Sequence, residues 1–267
     1  MGKIRYLAML SQQPEALADY YAGYFKMTEL GRSPQGDVSL TDGYFNLTVL
    51  KMRPELRETE PRLAIGANHL GVAVDSVEET VERYLKFNPK GIVVPEPGGV
   101  HYGEMRIYDP EFMPVSLSQK KFAVPTDEAA MPKLLHVALN AFYPTPVMEF
   151  YEQVFGMRPL EKANKMRVRE KRPNRFMGDG AVNFAIHAFY TDYAGHEGHY
   201  GINHFGFQVT DWKSITEDIA KKWPAAARPP NRPYEDSRVE DPDGNKVDIG
   251  QTKGWEVDND VWAEVIA

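Results

Sequence analysis

Hydrophobic and polar positions alternate along the chain in short stretches that predict strands and amphipathic helices. Residues 6–10 are predicted to form a strand, and residues 14–27 carry apolar side chains at helical spacing. Two hydrophobic strands are predicted next, around residues 38–40 and 44–50. Together these elements form one unit, in which a strand is followed by a helix and then by further strands.

The same order of elements recurs three times. A strand at 68–74 and a helix at 77–87 are predicted first, followed by strands near 91–94, 105–108 and 115–118. The order begins again at Leu134 and at Ile202. Four βαβββ units place helices on one face of a curved, mostly antiparallel sheet. The predicted fold class is therefore α+β.

Three sequence matches occur in the same order in the two halves of the chain, and they indicate an internal repeat. The matched segments are Pro14–Met27 with Pro144–Met157, Asp42–Val49 with Asp179–Ile186, and Asn68–Val74 with Asn203–Val209. The two halves are therefore homologous.

The repeat predicts the domain organisation. Residues 1–119 form an N-terminal domain, and residues 134–252 form a C-terminal domain. Residues 120–133, which contain Pro and small polar residues, are predicted to be a linker rather than a core element. Residues 253–267 form a tail, for which an edge-covering role and a subunit contact are both open.

Composition narrows the function classes. The 267 residues contain 31 Lys and Arg against 38 Asp and Glu, a net charge of −7, which argues against binding nucleic acid or an anionic membrane. The absence of cysteine excludes disulfides, iron–sulfur clusters and cysteine nucleophiles. Neither a signal peptide nor an apolar stretch of membrane-spanning length is apparent. We expect a cytoplasmic protein with a small-molecule substrate, and a homodimer remains open.

Three features together resemble one superfamily. They are strands carrying His, a helix ending in Phe-Tyr-Glu-Gln-Val-Phe-Gly-Met at 150–157, and a final strand after Asp-Pro-Asp-Gly-Asn at 241–245. This pattern resembles the vicinal oxygen chelate superfamily, which includes glyoxalase I, bleomycin- and fosfomycin-resistance proteins and extradiol dioxygenases. The resemblance covers residues 3–252 and implies two glyoxalase-like domains. Four modules in one chain resemble the two-domain extradiol dioxygenases more than the short, dimer-forming members.

The resemblance implies a metal site in a cup formed by two modules, with ligands from the first and last strands. At the corresponding positions the C-terminal half has His136, His187, His204 and Asp248, and the N-terminal half has Tyr6, Leu50, His69 and Ser116. Three imidazoles and a carboxylate lie in one half, against one imidazole in the other. A metal is therefore expected in the C-terminal half only, and His69 is interpreted as structural or as a substrate contact.

We predict that His136, His204 and Asp248 bind a divalent metal ion. Because side chains alternate across a strand, these residues face away from the apolar neighbours that pack under the helices. Two His and one carboxylate are the typical ligands of non-haem Fe(II), so Fe(II) is the favoured metal. Mn, Zn, Ni and Co bind to the same ligands and stay alternatives. His187 is either a fourth ligand or an acid–base group.

Other polar residues are weaker candidates. His199 and Tyr234 are assigned catalytic roles, and Tyr200 and Arg238 are assigned substrate-binding roles, since they lie in a Gly-rich loop and just before the last strand. The alternative interpretation of these residues is an exposed surface without a role.

Three functions remain. An extradiol-type dioxygenase is favoured by the four-module plan, although those enzymes carry a His and a Tyr where this chain has approximately Pro229 and Arg238. A glyoxalase-like lyase or isomerase, in which the metal stabilises an enediolate, is the first alternative. A non-catalytic protein that binds a small ligand, as resistance proteins do, is the second.

Overall fold

The computed structural model contains two halves that repeat the same elements. It describes residues 2–55, 64–96, 98–100, 102–125, 127, 130–160, 174–189, 200–224, 227–228 and 237–251. The C-terminal tail lies outside these residues. No helix in the described part of the chain is long and apolar enough to cross a lipid bilayer.

The N-terminal half contains eight strands and two α-helices within the described residues. They are β1 (Lys3–Ser11), α1 (Pro14–Phe25), β2 (Thr28–Arg32), β3 (Val38–Thr41), β4 (Asn46–Lys51), β5 (Gly66–Ala73), α2 (Val77–Phe87), β6 (Val94–Pro95), β7 (Met105–Tyr108) and β8 (Pro114–Ser118). The predicted order of strands and helices is confirmed, and β2 is a strand that the hydrophobic pattern missed.

The C-terminal half repeats this order within the described residues. Its elements are β9 (Lys133–Ala141), α3 (Pro144–Phe155), β10 (Arg158–Pro159), β11 (Arg175–Gly178), β12 (Asn183–Ala188), β13 (Gly201–Gln208), α4 (Trp212–Lys222), β14 (Ala227–Arg228), β15 (Ser237–Glu240) and β16 (Lys246–Gly250). Proline stands in the first turn of both α1 and α3, where its fixed φ and missing N–H suit a helix start.

The described strands of each half form one eight-stranded sheet, and the two sheets have the same strand order. The N-terminal order is β2-β3-β4-β1-β5-β8-β7-β6, and the C-terminal order is β10-β11-β12-β9-β13-β16-β15-β14. In each sheet two of the pairings are parallel and the others are antiparallel, so the α+β prediction with mostly antiparallel sheets is confirmed.

The helices of each half pack against both halves, which therefore share one hydrophobic core. The Phe25 ring of α1 stacks on Phe207 of β13, with ring centroids 4.3 Å apart. Tyr84 of α2 meets Phe150 of α3 edge to face. Because these aromatic side chains are buried by residues of the opposite half, neither half has a complete core alone.

Two buried carboxylates join the halves reciprocally. Asp42 accepts hydrogen bonds from two N–H groups of its own turn and, through Oδ2, from the Leu134 N–H of β9 at 2.6 Å. Asp179, its counterpart in the repeat, accepts the Ile4 N–H of β1 at 2.7 Å. Each carboxylate thereby fixes the first strand of the other half against the turn that bears it.

The segment between the halves contributes to the core, which the linker prediction did not include. Phe122, in a short 3₁₀ turn at Lys121–Ala123, is fully buried and stacks on the Tyr6 ring with centroids 4.8 Å apart. Gly71 makes room for it, since a Cβ there would lie 2.5 Å from Phe122 Cζ. The Pro and polar residues of the segment concealed this single aromatic anchor.

Replacing Phe122 with Ala should lower the free energy of unfolding by about 3–5 kcal/mol, because the ring's buried contacts are lost and a cavity remains. Phe112→Ala is the matched control: this ring is 68% exposed, so the change should be below about 0.5 kcal/mol. Urea denaturation measures both. Equal losses in the two variants would contradict the anchoring role of Phe122.

Candidate metal centre

Three neighbouring strands bring the predicted ligands together. β13 lies between β9 and β16, and Gly206 of β13 is in register with His136 on one side and with Asp248 on the other. His204 is two residues away from Gly206 on the same strand. Because Gly206 has no side chain, the three ligand side chains can converge above it.

The ligand atoms lie at distances that suit a single ion. His136 Nε2 is 3.1 Å from His204 Nε2, and His204 Nε2 is 3.5 Å from Asp248 Oδ2. The three side chains offer atoms that all lie within 4.8 Å of one another. All three residues are at most 2% exposed. Among the residues that the structure describes, they form the one His and carboxylate group with this geometry.

Two asparagines set the orientation of the imidazoles. His136 Nδ1 is 3.2 Å from Asn183 Oδ1, and His204 Nδ1 is 2.6 Å from Asn203 Oδ1. A carboxamide oxygen accepts a hydrogen bond, so each Nδ1 carries the proton and each Nε2 presents its lone pair. Two Nε2 lone pairs that face each other at 3.1 Å repel unless a cation lies between them. The donor set therefore fits a divalent metal ion.

Burial keeps both imidazoles neutral. It lowers the pKa of His136 to about 4, and it lowers the pKa of His204 well below the usual value. The Asp248 carboxylate raises both pKa values, but less than burial lowers them. At neutral pH neither ring has to lose a proton before it binds a metal.

Arg238 holds the carboxylate of the site. Its Nε and Nη2 donate hydrogen bonds to Asp248 Oδ1 at 2.5 Å and to Oδ2 at 3.0 Å, across the β15–β16 pairing in which the two residues are in register. A fork-shaped pair of this kind fixes the carboxylate plane. Arg238, predicted to contact the substrate, therefore lies at the site and orients the candidate ligand Asp248.

His187 lies beside the three ligands but is not one of their group. It stands near the end of β12, with its ring centroid 5.7 Å from that of His204. It is close enough to His136 and His204 to contribute, after burial, to the lowering of both pKa values. This position, adjacent to the ligands and partly exposed, suits an acid–base group better than a fourth ligand.

The remaining candidates have different outcomes. Tyr200 stacks on Phe142, with centroids 5.6 Å apart, and its hydroxyl donates to the Glu111 carbonyl of the other half. His199 and Tyr234 lie outside the described residues. The catalytic roles of His199 and Tyr234 and the substrate-binding role of Tyr200 therefore stay predictions.

The N-terminal cup is filled by an aromatic cluster. Tyr6, His69 and Ser116 are buried at the positions that correspond to the three ligands. The Tyr6 ring lies 5.6 Å from His69 and stacks on Phe122. Leu50 packs against this cluster. A phenol, a hydroxyl and one imidazole are a poor divalent-metal donor set, and the aromatic stack occupies the space.

Sequence reasoning missed the orienting asparagines, although the repeat contained the necessary pattern. The dipeptide Asn-His occurs at the start of β5 and of β13, and His69 Nδ1 is 2.7 Å from Asn68 Oδ1, as in the His204 pair. An amide directly before a candidate ligand is thus a usable indication of imidazole orientation.

One family model matches the half of the chain that contains the three candidate ligands. Residues 133–249 match the family model described as the glyoxalase/bleomycin resistance protein/dioxygenase superfamily. No curated protein matches the chain.

Solved structures of several dioxygenases have the same fold. The 2,3-dioxygenase LapB from Pseudomonas sp. KL28 superposes with a TM-score of 0.67 at 13% identity, over 92% of this chain and 91% of that one. Homoprotocatechuate 2,3-dioxygenase from Arthrobacter globiformis superposes with a TM-score of 0.63 at 13% identity, and the match covers 92% of this chain and 78% of that enzyme. A mutant of the homoprotocatechuate 2,3-dioxygenase from Brevibacterium fuscum superposes with a TM-score of 0.62 at 12% identity, and the match covers 92% of this chain and 70% of that enzyme. At these identities the likeness is one of fold.

Asn203→Ala should weaken Co(II) binding about 10- to 100-fold, because His204 loses the partner that fixes its ring. Asn68→Ala is the matched control, since it removes the same hydrogen bond from His69 in the N-terminal half, where no metal is expected. Titration of the cobalt absorption band measures both. Equal affinity in the two variants would contradict the orienting role.

Metal affinity should respond weakly to acid. Since both imidazoles have lowered pKa values, protons compete with the metal only as the pH approaches the His136 value of about 4. The Co(II) dissociation constant should therefore stay within about threefold between pH 8 and pH 5.5. A steady loss of affinity that begins near pH 6.5 would show instead that the rings titrate as exposed histidines do.

Proposed function

We propose that the chain is a member of the glyoxalase/bleomycin resistance protein/dioxygenase superfamily and a metal-dependent enzyme of the extradiol dioxygenase type. The observation that carries the proposal is the pair of imidazoles whose Nε2 atoms face each other beside Asp248. Fe(II) is the metal favoured by two His and one carboxylate. The dioxygenase folds that match both halves support this choice within the superfamily.

His136, His204 and Asp248 would hold the metal. Bound there, it would supply a Lewis acid toward a substrate with two neighbouring oxygens and a redox centre for dioxygen chemistry. The burial of these three residues excludes bulk water from the protein side of the site.

We propose that His187 moves the substrate proton. Its ring lies beside His204 and is partly exposed, so it can reach a catechol hydroxyl placed at the metal. As a base it would accept a hydroxyl proton, and as an acid it would return one to a developing oxyanion.

Arg238 would add charge selectivity. Its guanidinium neutralises Asp248, so two neutral imidazoles, one carboxylate and one guanidinium carry no net charge before a dication binds. The loaded site would therefore favour a deprotonated substrate, such as a catecholate.

The same guanidinium supports one other candidate function. A cation beside the metal would also stabilise an enediolate, which is the charge that a glyoxalase-like lyase or isomerase has to bind. Dioxygen consumption distinguishes the two reactions, because the lyase or isomerase consumes none.

The test begins with His204→Ala and its repeat counterpart His69→Ala. In anaerobically purified protein, His204→Ala should lose the near-stoichiometric iron and at least 100-fold in oxygen uptake on catechols, because one of three ligands is gone. His69→Ala should keep the metal. No iron in the wild-type protein would contradict the proposal, and metal-dependent turnover without oxygen uptake would favour the lyase.

His187→Gln separates metal binding from proton transfer. The variant should retain its iron, since His187 is outside the ligand group, and should lose about 100-fold or more in kcat. Loss of iron together with activity would show that His187 is a ligand.

A further inference from the structure

Two buried junctions between the halves are related by the repeat, but only one of them is fully hydrogen-bonded. In the first junction, the Tyr21 hydroxyl of α1 donates to Asp241 Oδ2 at 2.7 Å, and the Asn245 side-chain amide donates to the same oxygen at 2.8 Å. Asp241 belongs to the turn between β15 and β16. This contact therefore joins a helix of one half to a turn of the other.

The second junction has the same two residue types without the same bonds. Tyr151 of α3 corresponds to Tyr21, and Asp109, in the turn between β7 and β8, corresponds to Asp241. Both residues are at most 4% exposed, yet the Tyr151 hydroxyl and Asp109 Oδ2 have no hydrogen-bond partner. Such atoms are rare in folded proteins, because each has lost its bonds to water without replacement.

The turn sequence explains why this carboxyl group lacks donors. Residues 109–113 read Asp-Pro-Glu-Phe-Met where the other turn reads Asp-Pro-Asp-Gly-Asn, so Met113 replaces the amide donor Asn245. Phe112 takes the place of Gly244 and has a φ of +65°, in the left-handed region that favours glycine. The second turn is therefore both strained and short of one donor.

The surroundings of Asp109 favour its neutral form. Its Oδ1 accepts the N–H groups of Glu111 and Met113. Burial raises the pKa of Asp109 to about 7, and the Glu111 carboxylate adds to this increase. Among the described residues no cation acts on this carboxyl group. The other titratable groups around it are phenols, namely Tyr84 of α2, Tyr108 of β7, Tyr151 of α3 and, beside Tyr151, Tyr200.

We propose that the Asp109–Tyr151 junction is a pH-sensitive contact between the halves, which holds while Asp109 is a carboxylic acid and weakens when Asp109 ionises. The acid carries a proton that it can donate to the neighbouring Tyr151 hydroxyl. The ionised form is a buried charge whose second oxygen lacks the donors that Asp241 has. Ionisation therefore favours conformations in which the turn moves away from α3 and water reaches the carboxylate.

The same turn also holds the ends of two strands of the candidate metal centre. The Glu111 carboxylate accepts the N–H groups of Phe142 and Tyr143, which directly follow β9. The Glu111 carbonyl accepts the Tyr200 hydroxyl, directly before β13. β9 and β13 carry the two candidate histidine ligands. Weakening of the junction at high pH should therefore loosen the backbone at these strand ends.

The first experiment measures the ionisation of Asp109 in the full-length protein. With ¹³C-labelled aspartate, the Asp109 carboxyl resonance is identified by its loss in Asp109→Asn and is followed by NMR against pH. Its midpoint should lie near the pKa of about 7, roughly three pH units above that of an exposed aspartate. A midpoint below about pH 5 would overturn the proposal.

Ionisation of Asp109 should also weaken the fold. Because this carboxyl group binds its proton more tightly in the folded protein than in the unfolded chain, stability falls as the pH rises between about 4 and 8. From pH 6 to pH 8 this group alone should raise the unfolding equilibrium constant about tenfold. Urea denaturation at the two pH values measures the change.

Asp109→Asn keeps the shape of the neutral acid and should remove this tenfold increase. Asp241→Asn is the matched control at the bonded junction. Since the pKa of Asp241 is about 6, this control should alter the increase by only about twofold. Equal pH dependence in the wild-type protein and Asp109→Asn would contradict the proposal.

Hydrogen exchange shows where the weakening occurs. Protection factors, which are corrected for the intrinsic pH dependence of exchange, should fall at Phe142 and Tyr143 between pH 6 and pH 8 in the wild-type protein. They should stay constant in Asp109→Asn. The same loss of protection in both proteins would show that Asp109 does not control these strand ends.

Phe112→Gly/Met113→Asn is the second variant, and it keeps the proposal testable if Asp109→Asn folds poorly. It gives the turn the glycine and the amide donor of its counterpart. The NMR midpoint of Asp109 should then fall by about one pH unit, toward the value of about 6 for Asp241. An unchanged midpoint would show that missing donors do not keep Asp109 protonated, and the proposal would fail.

Discussion

Each half fixes the first strand of the other half through a buried carboxylate. The rest of the structure depends on these two contacts. One carboxylate oxygen of Asp42 accepts backbone N–H groups of its own turn, and the other accepts a backbone N–H of β9. Asp179 does the same with its own turn and β1. These two strands lie in the middle of their sheets and carry Tyr6 and His136. Once they are fixed, the helices between the sheets can bury aromatic rings from both halves in one core.

The two halves have the same sheet topology, but different side chains line the cup of each half. In the C-terminal cup a glycine on the central strand lets two imidazoles and a carboxylate converge, and asparagines orient the rings. In the N-terminal cup the equivalent glycine, Gly71, instead admits the ring of Phe122. Identical backbone registers thus carry a candidate metal centre in one half and an aromatic core in the other, and the strand side chains together with Phe122 from the segment between the halves make the difference.

Charge organises the chemistry that we propose. Neutral imidazoles result from burial, and the guanidinium of Arg238 balances Asp248, so a divalent ion would be the dominant local charge.

The sequence by itself determined the repeat, the order of strands and helices, the superfamily resemblance and the residues His136, His204 and Asp248. It could do so because strand alternation, helical spacing and repeat-equivalent positions are local properties of the chain. Only the tertiary structure decided that Arg238 holds Asp248, that His187 stands beside the candidate ligands, that Phe122 is buried and that Asp42 and Asp179 each bind the first strand of the other half. These contacts join residues that are distant in sequence, and their existence depends on sheet register and on how the two halves pack, which no local pattern encodes.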